Sequence, residues 1–186
     1  MSTAETDPMH PAVLEPIWQP AASFAQRAHR HQQRKDDRTP YAAHPVRVAF
    51  TCAMIFGVRD DDVIAAAMLH DTIEDCAVDY DEVLEAFNET VAAYVQVMTK
   101  DMRLPHRDRE AAYDAQLAAG PWQGRLIKLA DVYDNLCDAH EPTMVKSAIR
   151  KAERALALAA DDPECALARE RLEQLIVRRR PDAAGR

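Results

Sequence analysis

The chain has 186 residues, a net charge of −8 and only four glycines. This length favours one domain with a complete hydrophobic core, and the scarcity of glycine and of alternating β-branched residues favours an all-α fold. The acidic balance argues against nucleic acid as a partner, because proteins that bind its backbone usually present a basic face. A small anionic substrate is compatible with positive charge that is gathered locally, as at Arg34 and Lys35.

The two ends of the chain differ in composition from its centre. We predict an N-terminal arm over residues 1–19, one helical domain of about eight to ten helices over 20–180, and a short tail over 181–186. The arm contains acidic residues and prolines instead of a basic and then apolar leader, and no apolar run is long enough to span a membrane. The four cysteines are scattered without a paired motif. We therefore expect a cytoplasmic protein with reduced thiols and no membrane partner.

Prolines, glycines and polar capping residues divide the central region into helices. In chain order, helices are predicted over about 20–34, 45–57 and 61–75, then from Asp79 and from Asn88, and finally over about 122–138, 143–160 and 163–179. A charged segment over 100–109 interrupts this series, and we expect it to be a loop that leads into a polar helix. Its basic residues Lys100, Arg103 and Arg107 are candidate contacts for phosphate.

The helix predicted over 61–75 is unusual because seven consecutive apolar residues, 63–69, lead directly into four ionisable ones. A helix that is apolar on every side is normally buried. His70 and Asp71 follow the apolar run, and Glu74 and Asp75 come one turn later. Carboxylates this close together in a buried position are costly unless something positive compensates them. A divalent cation at His70 and Asp71 would provide that compensation.

Two more residues are candidates for completing a metal shell. His44 directly precedes the proline that begins the second predicted helix, and Asp131 lies on the polar side of the helix over 122–138. Each of these two residues also has an interpretation that involves no metal. A lone histidine at the start of a helix can be a capping or core residue. The polar stripe of Lys128, Asp131, Asn135 and Asp138 can be a solvated helix face. The metal hypothesis therefore depends on the joint occurrence of histidine, a His-Asp pair and aspartate in this order.

A site of two imidazoles and two carboxylates suits Mn²⁺, Fe²⁺ or Zn²⁺ better than Mg²⁺. Such a metal can polarise a phosphoryl group and activate water near neutral pH. Glu74 and Asp75, one turn beyond the predicted ligands, would be placed to orient or deprotonate that water. The expected reaction is metal-assisted hydrolysis of a phosphate ester or phosphoanhydride.

Four sequence segments, which follow one another in a particular order along the chain, make this expectation more specific. These are 29–35 (HRHQQRK), 39–45 (TPYAAHP), 69–75 (LHDTIED) and 128–136 (KLADVYDNL). Together they resemble the HD superfamily of metal-dependent phosphohydrolases, and within it the hydrolase half of RelA/SpoT proteins and the small alarmone hydrolases of the metazoan SpoT type. The resemblance covers roughly residues 24–140.

The resemblance implies a helical fold with Mn²⁺ held by His44, His70, Asp71 and Asp131, Zn²⁺ and Fe²⁺ being alternatives. It also implies a guanosine nucleotide substrate, (p)ppGpp, whose 3′-pyrophosphate is removed to give GDP or GTP. Two further groups of residues receive roles from it. The catalytic residues implied are Glu74 and Asp75, and the substrate-binding residues implied are Arg34, Lys35 and Asn135.

Several differences from the family pattern keep other functions open. The loop after Lys35 lacks a glycine that is common in the family, and the helix over 143–160 contains no tyrosine. One alternative is therefore an HD-type phosphohydrolase that acts on another nucleotide or phosphorylated cofactor, such as NADPH. A second alternative is a non-catalytic nucleotide-binding module, although a binding module gains little from the acidic pair Glu74 and Asp75.

Overall fold

Helices account for all the regular structure in the part of the chain that the computed structural model describes, residues 16–180. The ten α-helices of this part are α1 (Trp18–Ala28), α2 (Ala43–Phe50), α3 (Asp61–Leu69), α4 (Thr72–Asp75), α5 (Tyr80–Ala86), α6 (Glu89–Met98), α7 (His106–Ala119), α8 (Trp122–Asp138), α9 (Pro142–Leu158) and α10 (Ala166–Arg179). The all-α prediction is thus confirmed. Most of the predicted arm and the whole predicted tail lie outside the described residues, and α1 begins at Trp18, inside the segment that we predicted as arm. No helix between 16 and 180 combines the length and apolar character needed to cross a bilayer.

Helix α3 lies at the centre of the fold, as its apolar run predicts. All seven residues from Val63 to Leu69 are buried, and α1, α2, α6 and α8 pack around the helix. Helices α9 and α10 cover the other side of α8. The C-terminal end of α3 is therefore held deep among the helices that carry the other predicted site residues.

Polar side chains begin the central helices at the places that the sequence indicates. The Asp60 carboxylate accepts hydrogen bonds from the backbone N–H groups of the first turn of α3. Asp79 begins α5 with a reciprocal capping box to Glu82, and the Asn88 side chain accepts from the Val91 N–H at 2.8 Å to begin α6. Such caps satisfy N–H groups that have no partner within the helix.

The predicted helix over 61–75 is interrupted at its functional end. Helix α3 stops at Leu69, and His70 and Asp71 form a turn before α4. Two side chains satisfy the carbonyl groups that this break exposes: His70 Nδ1 donates to the Ala67 carbonyl at 2.8 Å, and the Thr72 hydroxyl donates to the Leu69 carbonyl at 2.7 Å. Side chains can replace the lost intrahelical bonds in this way, so the chain turns without leaving buried acceptors unpaired.

The first two predicted helices also differ from the observed ones. Helix α1 ends at Ala28, six residues earlier than expected, because residues 33–40 form a tight loop around the Asp36 carboxylate. That carboxylate accepts from the Arg38 and Thr39 N–H groups and from the Thr39 hydroxyl. The second helix continues past α2 as a π-helical turn over Thr51–Ile55. It is terminated by Gly57, as predicted, with a φ of 74° that favours glycine.

A close approach between α6 and α8 brings two sides of the fold together. A Cβ atom on Gly120 or on Gly124 would collide with the Val97 side chain of α6. The absence of side chains at these two glycines lets α8 approach α6 closely. Since α8 carries Asp131 and α6 leads into Lys100, this contact determines how far apart these parts of the site lie.

Candidate functional site

All nine predicted site residues line a single cavity of about 490 Å³. They come from the loop after α1, from α2, from the turn between α3 and α4, from α4 and from α8. The nine are Arg34, Lys35, His44, His70, Asp71, Glu74, Asp75, Asp131 and Asn135. Residues that are up to 101 positions apart in the sequence, such as Arg34 and Asn135, are in direct contact here.

The predicted metal ligands converge at the floor of this cavity. Donor atoms of His44, His70 and Asp131 all lie within 4.8 Å of one another, and the three residues are buried. His44 Nε2 is 3.2 Å from Asp131 Oδ1, and the carboxylate of Asp71 lies 3.2 Å from His70 Nε2 and 3.6 Å from His44 Nε2. At these distances, the four side chains surround one common point.

Hydrogen bonds orient both imidazoles towards that point. The Nδ1 atom of His70 donates to a backbone carbonyl, and that of His44 donates to the Asp134 carboxylate at 2.7 Å. The Nε2 atom of each ring therefore faces the cluster. His70 Nε2 is fully buried and, although the Asp71 carboxylate lies 3.2 Å away, makes no hydrogen bond within residues 16–180. A divalent cation fits this arrangement, because it would pair the buried nitrogen and neutralise two carboxylates at once.

The electrostatics of the cluster also favour a cation. Burial alone would raise the pKa of Asp131, but the Lys128 ammonium and the His44 imidazole outweigh it and hold that pKa well below the usual range. Burial opposes protonation of His44, yet the Asp131 and Asp134 carboxylates raise the pKa of His44 to about 9. The carboxylates thus attract positive charge strongly, and they favour a proton on the His44 imidazole when nothing else supplies that charge.

Tyr41 connects the predicted metal ligands to the acidic residues of α4. Its hydroxyl lies 2.6 Å from Asp71 Oδ2, to which it donates, and 3.2 Å from Asp75 Oδ2. Burial and the nearby carboxylate of Asp71 both raise the pKa of Asp75. The sequence pattern contained Tyr41 without indicating this function, because a tyrosine next to an alanine pair carries no sign of a distant carboxylate partner.

Glu74 contacts Lys100 at the wall of the cavity. Its Oε2 atom accepts from the Lys100 backbone N–H at 3.0 Å, and its Oε1 atom lies 3.6 Å from the Lys100 ammonium. Lys100 also reaches Glu110. Of the three basic residues predicted in the 100–109 segment, only Lys100 lines the cavity. Arg103 and Arg107 are exposed and pair with neighbouring aspartates.

The predicted substrate-binding residues form a chain of contacts at the cavity mouth. The Arg34 guanidinium donates to Asn135 Oδ1 at 3.0 Å and to Asp138 Oδ2 at 2.9 Å, and it lies 5.6 Å from the centre of the Tyr41 ring. The Asn135 amide donates in turn to Asp131 Oδ1 at 2.6 Å. Lys35 is exposed beside Arg34. Asn135 therefore connects a predicted metal ligand to a predicted substrate residue.

Two further lysines, which the sequence did not indicate as site residues, also line the cavity. Lys128 donates to Asp131 Oδ2 at 2.7 Å. Lys151 of α9 lines the cavity and has no hydrogen-bond or ion-pair partner within the described region. A helical spacing identifies it, because Lys151 shares one face of α9 with Met144 and Ser147, which also line the cavity.

Comparison with known proteins shows which family this chain is similar to. The profile of a family described as the HD domain matches residues 21–161. A human protein named guanosine-3′,5′-bis(diphosphate) 3′-pyrophosphohydrolase MESH1 is 40% identical over 124 residues, which are 66% of this chain and 69% of that protein. The protein of the same name from Danio rerio is 39% identical over 122 residues, covering 65% and 68% of the two chains. A solved structure described as a metazoan ortholog of SpoT that hydrolyzes ppGpp superposes with a TM-score of 0.78. It covers 92% of this chain and 98% of its own, at 24% identity, and so supports the fold.

Proposed function

This chain belongs to the HD domain family, and from that premise we propose that it is a metal-dependent 3′-pyrophosphohydrolase of guanosine 3′,5′-bis(diphosphate), ppGpp. The products would be GDP and pyrophosphate, or GTP and pyrophosphate when the substrate carries a 5′-triphosphate. The observation that carries the proposal is the cavity in which a cluster of metal-ligand type lies beside an acidic pair and several lysines. The relatives that share up to 40% of its residues over the matched region are named for this reaction.

We propose Mn²⁺ as the metal, held by His44, His70, Asp71 and Asp131. The donor set of two imidazoles and two carboxylates is of the type that Mn²⁺, Fe²⁺ and Zn²⁺ share, and it is richer in nitrogen than Mg²⁺ prefers. When bound, such an ion supplies Lewis acidity towards a phosphoryl oxygen and lowers the pKa of water.

The protein's own contribution to the chemistry would come from α4. At the cavity wall, Glu74 accepts a hydrogen bond from the Lys100 backbone, and the Asp75 carboxylate lies 3.2 Å from the Tyr41 hydroxyl. Carboxylates fixed in this way can orient the attacking water and accept its proton. Tyr41 would keep Asp71 and Asp75 in one geometry, because a single hydroxyl lies within hydrogen-bond distance of both carboxylates.

The rest of the cavity suits a small polyanion with a planar base. Arg34 can stack on a purine face, and Asn135 can turn its amide towards the sugar. Lys35, Lys100 and Lys151 line the same cavity, so cationic side chains are available there for phosphate groups beside the carboxylates of the predicted metal and catalytic residues. The cavity volume of about 490 Å³ lies in the usual range for small-molecule sites, about 300–1,000 Å³.

We also propose that the enzyme works in the cytoplasm as one domain over residues 20–180. All four cysteines are unpaired, which is the state that a reducing compartment maintains. The matched family region, 21–161, lies within these bounds.

The proposal is tested by incubating purified protein with Mn²⁺ and ppGpp and measuring the release of pyrophosphate. Asp71→Ala and Glu74→Ala should abolish turnover, with losses of about 10²–10⁴-fold expected for the catalytic carboxylate. Glu85→Ala is the matched control, because Glu85 is an exposed acid of α5 outside the cavity. It should leave the rate unchanged.

Two outcomes would overturn parts of the proposal. Absence of turnover with Mn²⁺, Zn²⁺ and Fe²⁺, together with tight nucleotide binding, would identify a non-catalytic binding module. A clear preference for NADPH or another phosphorylated cofactor in a substrate panel would retain the phosphohydrolase chemistry and reject ppGpp as the substrate.

A further inference from the structure

A buried carboxylate stands behind one of the predicted metal ligands. Asp134 of α8 is only 4% exposed, and its Oδ2 atom accepts from His44 Nδ1 at 2.7 Å. Arg47 of α2 holds the same carboxylate with two hydrogen bonds, at 2.6 Å to Oδ1 and 3.0 Å to Oδ2. The hydrogen bonds that this buried carboxylate accepts thus come from one imidazole and one guanidinium.

The two histidines of the cluster are oriented by different kinds of acceptor. His70 donates from Nδ1 to a neutral backbone carbonyl of its own helix. His44 donates to an ionised side chain from a helix 90 residues away in the sequence. An anionic acceptor fixes the Nδ1–H form of the ring and increases the electron density at Nε2 more than a carbonyl does.

We propose that Asp134 is a positioning residue that prepares His44 for metal binding, with Arg47 holding the carboxylate in place. This inference rests on the metal dependence in the proposed function and not on the identity of the substrate. The bridge also ties α2 to α8, so the imidazole of His44 and the carboxylate of Asp131 approach the metal position in a fixed relation. No step of the chemistry passes through Asp134 itself.

The substitution Asp134→Asn tests this arrangement with little change in shape. An amide can turn its NH₂ group towards Nδ1, which favours the ring form that carries its proton on Nε2, where the metal must bind. Loss of such an orienting partner weakens metal binding by about 10–100-fold in other metal sites. We expect a change of that size for Mn²⁺ here.

The readout is the binding of Mn²⁺ alone, measured from the electron paramagnetic resonance signal of the free ion during a titration of the purified full chain. Asp162→Asn is the matched control. Asp162 accepts two hydrogen bonds from Arg125 at 2.6 and 2.8 Å but contacts no histidine. The control loses the same kind of bidentate pair and should keep wild-type affinity for Mn²⁺.

A second variant is needed if Asp134→Asn fails to fold because the Arg47 guanidinium has lost its carboxylate partner. Arg47→Met combined with Asp134→Asn removes both charges, and replacing a whole buried pair is generally tolerated better than removing one partner. A folded variant of either kind that binds Mn²⁺ as tightly as the wild type would overturn the inference. Failure of the wild-type protein to bind Mn²⁺ would instead reject the metal in the proposed function.

Discussion

Lys151 offers a direct test of how the cavity recognises an anionic substrate. Lys151→Met removes the charge and keeps most of the length of the side chain. A hydrogen bond to a charged group contributes about 1.5–3 kcal/mol. Because about 1.4 kcal/mol corresponds to a factor of ten, we expect kcat/KM for ppGpp to fall by about 10–100-fold.

The physical reason lies in the surroundings of the ammonium group. Partial burial lowers the pKa of Lys151, and the charges of Lys128, Lys100 and Lys35 lower it further. No acceptor within residues 16–180 pairs with it. A phosphate group would relieve the repulsion between the lysines and accept a hydrogen bond from the Lys151 ammonium group, so the contribution of Lys151 should be largest when substrate is bound. Added salt should reduce the difference between variant and wild type.

The assay is the initial rate of pyrophosphate release over a range of ppGpp concentrations at low and high ionic strength. Lys146→Met is the control, because Lys146 is exposed on α9 but does not line the cavity. It removes the same charge from the same helix. Equal rates for the two variants at all concentrations would show that net charge, and not a contact in the cavity, is what matters. That result would exclude a direct contact between Lys151 and the substrate.

Two further substitutions test how the helices around the cavity are held. Gly124→Ala should lower the free energy of unfolding by up to about 2 kcal/mol in urea denaturation, because overpacking against Val97 costs about 1–3 kcal/mol and the better helix propensity of alanine returns about 1 kcal/mol. Val97→Ala in the same chain should recover part of any loss, and a single variant that is more stable than the wild type by the full gain in helix propensity, about 1 kcal/mol, would contradict the close approach of α6 and α8. Asp162→Asn should cost about 1.5–3 kcal/mol at neutral pH, since hydrogen bonds from Arg125 lower the pKa of Asp162 below its ordinary value of 3.8. A lowered pKa stabilises the fold above the ordinary value, and that stabilisation is lost as the pH falls through the lowered one. The unfolding curves of variant and wild type should therefore converge in acid, and a constant gap would count against the ion pair.

The features that the sequence predicted well are those with a local physical cause. The run over 63–69 could be assigned to a buried helix because seven apolar residues leave no polar face for solvent. Asp79 and Asn88 could be placed at helix starts because short polar side chains satisfy the first N–H groups. The nine site residues share one cavity, but spacing alone did not distinguish the stripe on α8 from a solvated face. The resemblance to a family made that distinction.

The features that the sequence did not predict depend on side-chain hydrogen bonds, some to partners far away in the chain and some within a single turn. Asp134 lies three residues after Asp131 on α8, yet nothing local indicates that its acceptor is needed by His44 and Arg47. The end of α1 at Ala28 depends on the turn around Asp36. The break after Leu69 depends on side chains of His70 and Thr72 that satisfy the exposed carbonyls. Helix propensity and periodicity carry no information about such side-chain hydrogen bonds.

Helix α8 connects the part of the cavity that contains the predicted metal ligands with the part that contains the predicted substrate contacts. Along α8, Lys128 and Asn135 hold the Asp131 carboxylate from either side, while Asp134 orients His44 and Asn135 also contacts Arg34. A rotation of α8 would therefore displace the metal cluster and the substrate contacts together, so neither could be adjusted alone. Since Gly124 sets the approach of this helix to α6, a change at that position, well away from any proposed ligand, should alter Mn²⁺ affinity and the KM for the nucleotide in the same variant.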